Sequence, residues 1–122
     1  MKSVIVVIVA VIIVAGFLIF INSEAPPNPA LDAFAECLTS RGAVMYGADW
    51  CSHCQNEKKA FGQSFRLVQY VECPDDPQKC LEAGIKGYPT WMFPDGRKLE
   101  GEQGLTRLAS ESGCSLGSSK GP

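Results

Sequence analysis

Cys51 and Cys54 stand two residues apart in Trp50-Cys51-Ser52-His53-Cys54, and Tyr88-Pro89-Thr90 follows well downstream. Two cysteines at this spacing can close a small, reducible disulfide. A Cys-x-x-Cys pair can also staple a fold or supply half of a zinc site. Zinc needs about four ligands, for which Cys51, His53, Cys54 and either Cys73 or Cys80 can be nominated. The Trp before the pair and the Tyr-Pro-Thr after it point instead to thiol–disulfide exchange. A cysteine that opens a helix meets unpaired backbone amides and the positive end of the helix dipole, which favour a thiolate. Cys51 is therefore the expected nucleophile. Cys54, one turn into the helix and more shielded, is the expected resolving cysteine, which breaks a mixed disulfide formed on Cys51. His53 can carry a proton and stabilise the thiolate; a solvated surface histidine is the plainer reading. Trp50 is expected to pack beneath the motif and shape a docking surface.

The elements that must position these residues follow from the pattern around them. Pro29 suits a first helical position with Asn28 as cap. Leu31, Phe34, Ala35 and Leu38 give an amphipathic spacing that ends before Gly42. Ala43 to Tyr46 reads as a short buried strand. A helix is expected from about Cys51 to about Phe65, and a second strand from Leu67 to Glu72. Cys73 to Gln78 reads as a loop with two prolines, and Lys79 to Ala83 as a short helix stopped by Gly84. A third strand, Thr90 to Phe93, meets the strong turn signal Pro94-Asp95-Gly96-Arg97 and returns as Lys98 to Glu100. Leu105, Leu108 and Ala109 fit a last helix ending at Gly113. Strands separated by helices imply parallel pairing, and the tight turn implies a final antiparallel hairpin. The expected fold class is α/β, a mixed sheet with helices on both faces.

Ahead of this domain, Val4 to Ile21 is an uncharged run of apolar residues and glycine. At about 1.5 Å per residue it nearly spans a bilayer core of about 30 Å. A cleavable signal peptide is the competing reading, since Ser23-Glu24-Ala25 offers small residues near a cut. The run is longer than the usual h-region, and Pro26 is a poor residue to follow a cleavage site. An uncleaved anchor over residues 1–21 is therefore expected. A buried core helix is disfavoured because the run has no polar face. Lys2 and the terminal amine precede the span, whereas Glu24 and Asp32 follow it. The positive-inside rule then keeps the N-terminus in the cytoplasm and exports the rest, a single-pass cell-membrane arrangement. Residues 22–29, with Pro26, Pro27 and Pro29, read as a semi-stiff spacer that holds the domain close to the bilayer. Six cysteines in a chain of 122 residues suit an oxidising compartment. The net charge of −2 and the lack of a basic patch exclude nucleic acid as a partner. Residues 115–122, rich in Gly and Ser, read as a disordered tail.

Tyr46-Gly47-Ala48-Asp49-Trp50-Cys51-Ser52-His53-Cys54-Gln55 and Gly84-Ile85-Lys86-Gly87-Tyr88-Pro89-Thr90, with Phe93-Pro94-Asp95-Gly96-Arg97, resemble the thioredoxin superfamily over residues 30–114. With Tyr70-Val71-Glu72-Cys73 and Trp91 added, the chain is similar to the thioredoxin-like domain associated with vitamin K epoxide reductase homologues. The resemblance implies a thioredoxin fold with a mixed four-stranded sheet, preceded here by one transmembrane helix, and it implies no cofactor and no metal. It also implies a cis peptide bond at Tyr88–Pro89, facing the cysteines. The Tyr88 backbone would pair with an extended substrate segment by strand addition. Histidine at position 53 marks the family's more oxidising members. The expected partners are exported proteins carrying thiols or disulfides, and a membrane quinone-linked protein resembling vitamin K epoxide reductase that reoxidises the pair. The family's buried acid upstream of the first cysteine, which relays protons to the second, is replaced here by Met45. Asp49 and Glu57 are read as solvated charges rather than as substitutes.

With Cys51 and Cys54 paired, four cysteines remain. Cys73 ends the strand parallel to the one before Cys51, and Cys80 lies in the helix leaving that end. Cys37 and Cys114 both fall at the opposite end. The expected pairs are Cys73–Cys80 and Cys37–Cys114, the latter worth about 4–5 kcal/mol in the chain-entropy model. Cys73–Cys80 is open to two readings, a plain staple or an electron relay to Cys51–Cys54. The whole reads as a membrane-anchored, outward-facing thiol–disulfide oxidoreductase that passes oxidising equivalents to exported proteins. A reductase or isomerase, a redox-inert tethered binding module and a metallochaperone are the alternatives.

Overall fold

The computed structural model describes residues 1–21 and 26–117. Helix α1 (Lys2–Ile21) is apolar on every side, with a mean hydropathy of 3.6 over its best window. It is long and apolar enough to cross a membrane. Length and composition fit an anchor and a signal sequence alike.

Helix α2 (Pro29–Ser40) begins as the sequence implies, with Pro29 in its first turn and Asn28 Oδ1 accepting from the Leu31 N–H at 3.3 Å. A helix this short is marginal alone. Burial of Phe34, Ala35 and Leu38 holds it to the sheet, each large side chain contributing about 1.5–3 kcal/mol. Strand β1 (Val44–Gly47) follows, then helix α3 (Ser52–Phe61). The sequence predicts a longer α3. Gly62, at φ 55°, ends it there, and the chain tightens into a 3₁₀ segment over Gly62–Leu67. Strand β2 (Gln69–Glu72) and helix α4 (Pro77–Glu82) come next. Helix α4 starts two residues earlier than expected, because Asp76 caps it by accepting from the Lys79 N–H and Pro77 fills the first position. Strands β3 (Thr90–Met92) and β4 (Lys98–Glu100) form the hairpin, and helix α5 (Leu105–Ser112) closes the domain.

The strands lie in the order β2-β1-β3-β4 in one four-stranded sheet. Strands β1 and β2 are parallel, with Gly47 opposite Glu72, and β3–β4 is antiparallel, as predicted. Strand β3 departs from the expected parallel pairing: it runs antiparallel to β1, with Thr90 opposite Tyr46. The cause is the length of α4. Six residues rise only about 9 Å, too little to carry the chain back along the sheet. Residues 83–89 then enter β3 from the end at which β2 finished.

One face of the sheet carries α2, α3 and α5 around Phe34, Met45, Phe61, Trp91 and Leu108, all fully buried. Phe61 is the hub, with its ring centroid 5.9 Å from both Phe34 and Trp91. The opposite face is thinner: Tyr46, Val71, Cys73 and Cys80 are covered by α4 and Ile85. Leu116, just past α5, packs partly buried against the larger core. Residues 22–25 of the expected spacer and 118–122 of the expected tail lie outside the described residues.

Candidate active site at the end of the first strand

Gly47-Ala48-Asp49-Trp50 leaves the end of β1 and delivers Cys51 to the first turn of α3. Cys51 is the N-cap of that helix, and its Sγ accepts the Cys54 N–H at 3.3 Å. Thiolate charge at this position faces the amide end of the helix. The Cys51 S–H also reaches the Tyr88 carbonyl, at 3.6 Å. The Tyr88–Pro89 bond is cis, and Pro89 is buried at the start of β3. Gly101 N–H donates to the Pro89 carbonyl at 2.8 Å, which ties the loop after β4 to the same spot. Residues far apart in the chain, Cys51 and Tyr88–Pro89, thus meet at one point.

Both cysteines are thiols, and both are buried, Cys51 at 9% exposure and Cys54 at 0%. Burial, reinforced by the neighbouring Cys51 sulfur, pushes the Cys54 thiol up to about 12. Cys51 is the more accessible of the two sulfurs.

Trp50 does not pack beneath the motif as the sequence reading expected. It is 73% exposed and stands edge-on to the Tyr88 ring, at 5.9 Å between centroids. An indole with no core partner below it becomes the lip of the site rather than its floor. The His53 ring is also exposed, and its Nδ1 lies 3.0 Å from Glu102 Oε2. His53, with Asn56, in turn lowers the Glu102 carboxyl below its ordinary range.

Glu57 corrects the sequence reading. It is 1% exposed rather than solvated, and its carboxylate accepts the Gln103 and Gly104 N–H groups at 2.6 and 3.0 Å. Burial pushes its carboxyl up, while the two backbone donors pull it back. Its partners lie on a distant loop, so no local pattern could have shown them. Asp49 is exposed as expected, and a hydrogen bond and ion pair with Lys58 at 2.8 Å hold its carboxyl below the ordinary range. Met45 is fully buried in the core, so no acid occupies its position.

The remaining cysteines are bonded as Cys73–Cys80 and Cys37–Cys114, each with S–S 2.06 Å. Cys73 N–H donates to the Gly47 carbonyl at 2.8 Å, so the shorter loop lies at the active-site end. Cys73 and Cys80, nominated above as zinc ligands, are consumed by this bond. Among the described residues no group of three or more His, Cys, Asp or Glu could hold a metal ion.

A four-stranded mixed sheet with flanking helices, and a Cys-x-x-Cys helix start set against a cis-proline, define a thioredoxin-like domain. The chain is 44% identical over 98 residues to thiol-disulfide oxidoreductase LTO1 of Arabidopsis thaliana, covering 73% of this chain and 26% of that protein. It is 29% identical over 89 residues to a thioredoxin domain-containing protein 5 homolog of Drosophila melanogaster, covering 65% of this chain and 21% of that one. The chain thus spans about a quarter or less of the curated relatives it matches. Among solved structures, Fasciola hepatica thioredoxin matches at 21% identity and a TM-score of 0.43, over 58% of this chain and 76% of that one. No protein-family model matches the chain.

Proposed function

We propose that this chain is a membrane-anchored, extracytoplasmic thiol–disulfide oxidoreductase that oxidises exported proteins. The observation that carries the reading is Cys51 itself: its Sγ is held by the Cys54 N–H and faces the Tyr88 carbonyl beside the cis-proline. An extended substrate lying along Tyr88 brings its own sulfur to Cys51, with Trp50 as the exposed lip of that groove. A substrate thiolate attacks Cys51 of the Cys51–Cys54 disulfide, and Cys54 leaves. A second substrate thiolate then attacks the mixed disulfide and releases Cys51. The two electrons gained pass to a quinone-linked membrane protein resembling vitamin K epoxide reductase. His53, in the position of the more oxidising family members, stabilises the thiolate form. Cys73–Cys80 and Cys37–Cys114 serve as staples. The anchor is α1, with Lys2 on the cytoplasmic side. The similarity to a plant thiol-disulfide oxidoreductase supports the chemistry, and the length and uniform apolarity of α1 support the anchor.

The test is the equilibrium reduction potential of Cys51–Cys54 in the full chain, with Cys51→Ser as the inactive control. A value near −120 mV supports oxidation; one near thioredoxin's, about −270 mV, overturns it in favour of a reductase.

A further inference from the structure

With methionine at position 45, the buried Cys54 has no acid from that position beside it, yet the Tyr70 hydroxyl of the neighbouring strand borders the same glycine, Gly47. A Cβ placed on Gly47 would lie 2.9 Å from Cys54 Sγ and 3.2 Å from Tyr70 Oη. The bare glycine leaves a gap that both the thiol and the phenol border. Tyr70 donates its hydroxyl proton to Glu72 Oε2, and Glu72 Oε1 accepts the Asp49 N–H at 2.9 Å. The parallel register places Glu72 opposite Gly47 and Tyr70 opposite Met45. Glu72 is half-buried, so its carboxylate is open to water.

We propose that Tyr70 and Glu72 form the proton relay of Cys54, in place of the acid that Met45 displaces. This rests on the exchange chemistry proposed above. When Cys54 attacks the mixed disulfide on Cys51, its proton passes to the Tyr70 oxygen as the Tyr70 proton passes to Glu72. The Cys51–Cys54 bond forms, the bond from Cys51 to the substrate sulfur breaks, and the substrate leaves as a thiolate. In the oxidising direction Cys54 leaves as the thiolate and the same path returns a proton to it. The transfer is concerted, because burial and the Glu72 carboxylate push the phenol well above its ordinary range and disfavour a free tyrosinate.

The other charged groups around Cys54 are otherwise engaged. Lys58 lies over the Tyr70 ring at 3.9 Å from its centroid and pairs with the exposed Asp49. Its charge favours a Cys54 thiolate. Glu57, on the same helix, already accepts two backbone N–H groups. Cys51 is the reaction partner.

The experiment follows the reduced full chain with dithiobis(nitrobenzoate) in stopped flow. The first release of coloured thiolate reports attack by Cys51, and the second reports closure by Cys54. For the wild type the second phase is expected to be nearly independent of pH around neutrality. In Tyr70→Phe and Glu72→Gln it should fall about a hundredfold at pH 7 and rise about tenfold per pH unit, because only hydroxide then removes the proton. The first phase is the control for folding. Tyr70→Phe keeps the ring beneath Lys58 and against Phe65, and Glu72→Gln keeps an acceptor for Asp49. A purely structural role would slow closure without changing its pH slope. Variant second phases within twofold of wild type, with the same slope, overturn the relay alone. A wild type with no second phase overturns the exchange reading and the relay with it.

Discussion

At the end of the sheet where β1 and β2 finish, two cysteines remain thiols and polar side chains crowd the space beneath them. At the other end Cys37 and Cys114 are joined across 77 residues of chain, tying α2 to the segment after α5. There Arg97 bridges the hairpin to α5 through Glu111, at 3.2 Å, and lies over the Phe93 ring. Such an exposed pair contributes little by itself; the covalent tie is the large term. The near end, by contrast, keeps two unbonded cysteines, both buried. Under the proposed function, stability and reactivity are carried by different cysteines in one small domain.

The sharpest way to break this division is to open the far end. Cys37→Ala/Cys114→Ala should lose about 4–5 kcal/mol of folding stability, the loop-closure term for a ring of this size. Urea denaturation measures the loss, and the stopped-flow rates of the folded fraction should stay within twofold of wild type. Opening the short loop at the near end costs less. Cys73→Ser/Cys80→Ser opens a loop with a separation of only 7 residues, worth about 2–3 kcal/mol. As a staple it should leave multiple-turnover exchange intact. A large fall in turnover with unchanged single-turnover rates would make it an electron relay and blur the comparison.

The smallest expected effect belongs to Glu57. Glu57→Ala leaves the Gln103 and Gly104 N–H groups without their acceptor and should cost about 1–3 kcal/mol. Its pH dependence has a definite sign. Folding raises this carboxyl above its ordinary 4.5, so the native state binds the proton more tightly than the unfolded chain. Relative to Glu57→Gln, the wild type should gain stability as pH falls through the folded value toward about 4.5, and lose it as pH rises back. A stability difference that is flat across this window would mean that the carboxyl is not desolvated.

Much of this was legible in the residues. The Cys-x-x-Cys helix start, the distant Tyr88-Pro89 and the Pro-Asp-Gly hairpin are local signals, and each lies where its turn or cap chemistry requires. Strand β4 falls on the predicted residues because the tight turn sets its start. Tertiary placement was less legible. Glu57 sits beside Lys58 and Lys59, a charged run that locally resembles a solvated face; only the loop at 103–104 makes it a buried acceptor. Tyr70 reads as an ordinary strand aromatic until pairing with β1 sets its hydroxyl beside Gly47. The direction of β3 depended on how far α4 could carry the chain, a length that periodicity estimates poorly.

The chain has two tryptophans, and their contrast makes the molecule its own optical gauge. Trp91 is sealed in the core at 0% exposure, while Trp50 stands at the lip of the site at 73%. Trp91 emission shifts to the red only when the core opens, so it registers unfolding. Trp50 is already in water, and its intensity follows what happens at the neighbouring sulfur: adduct formation, closure, or a peptide laid across Tyr88. A Trp50→Phe chain reports the fold alone, and its difference spectrum from wild type isolates events at the site without any added label.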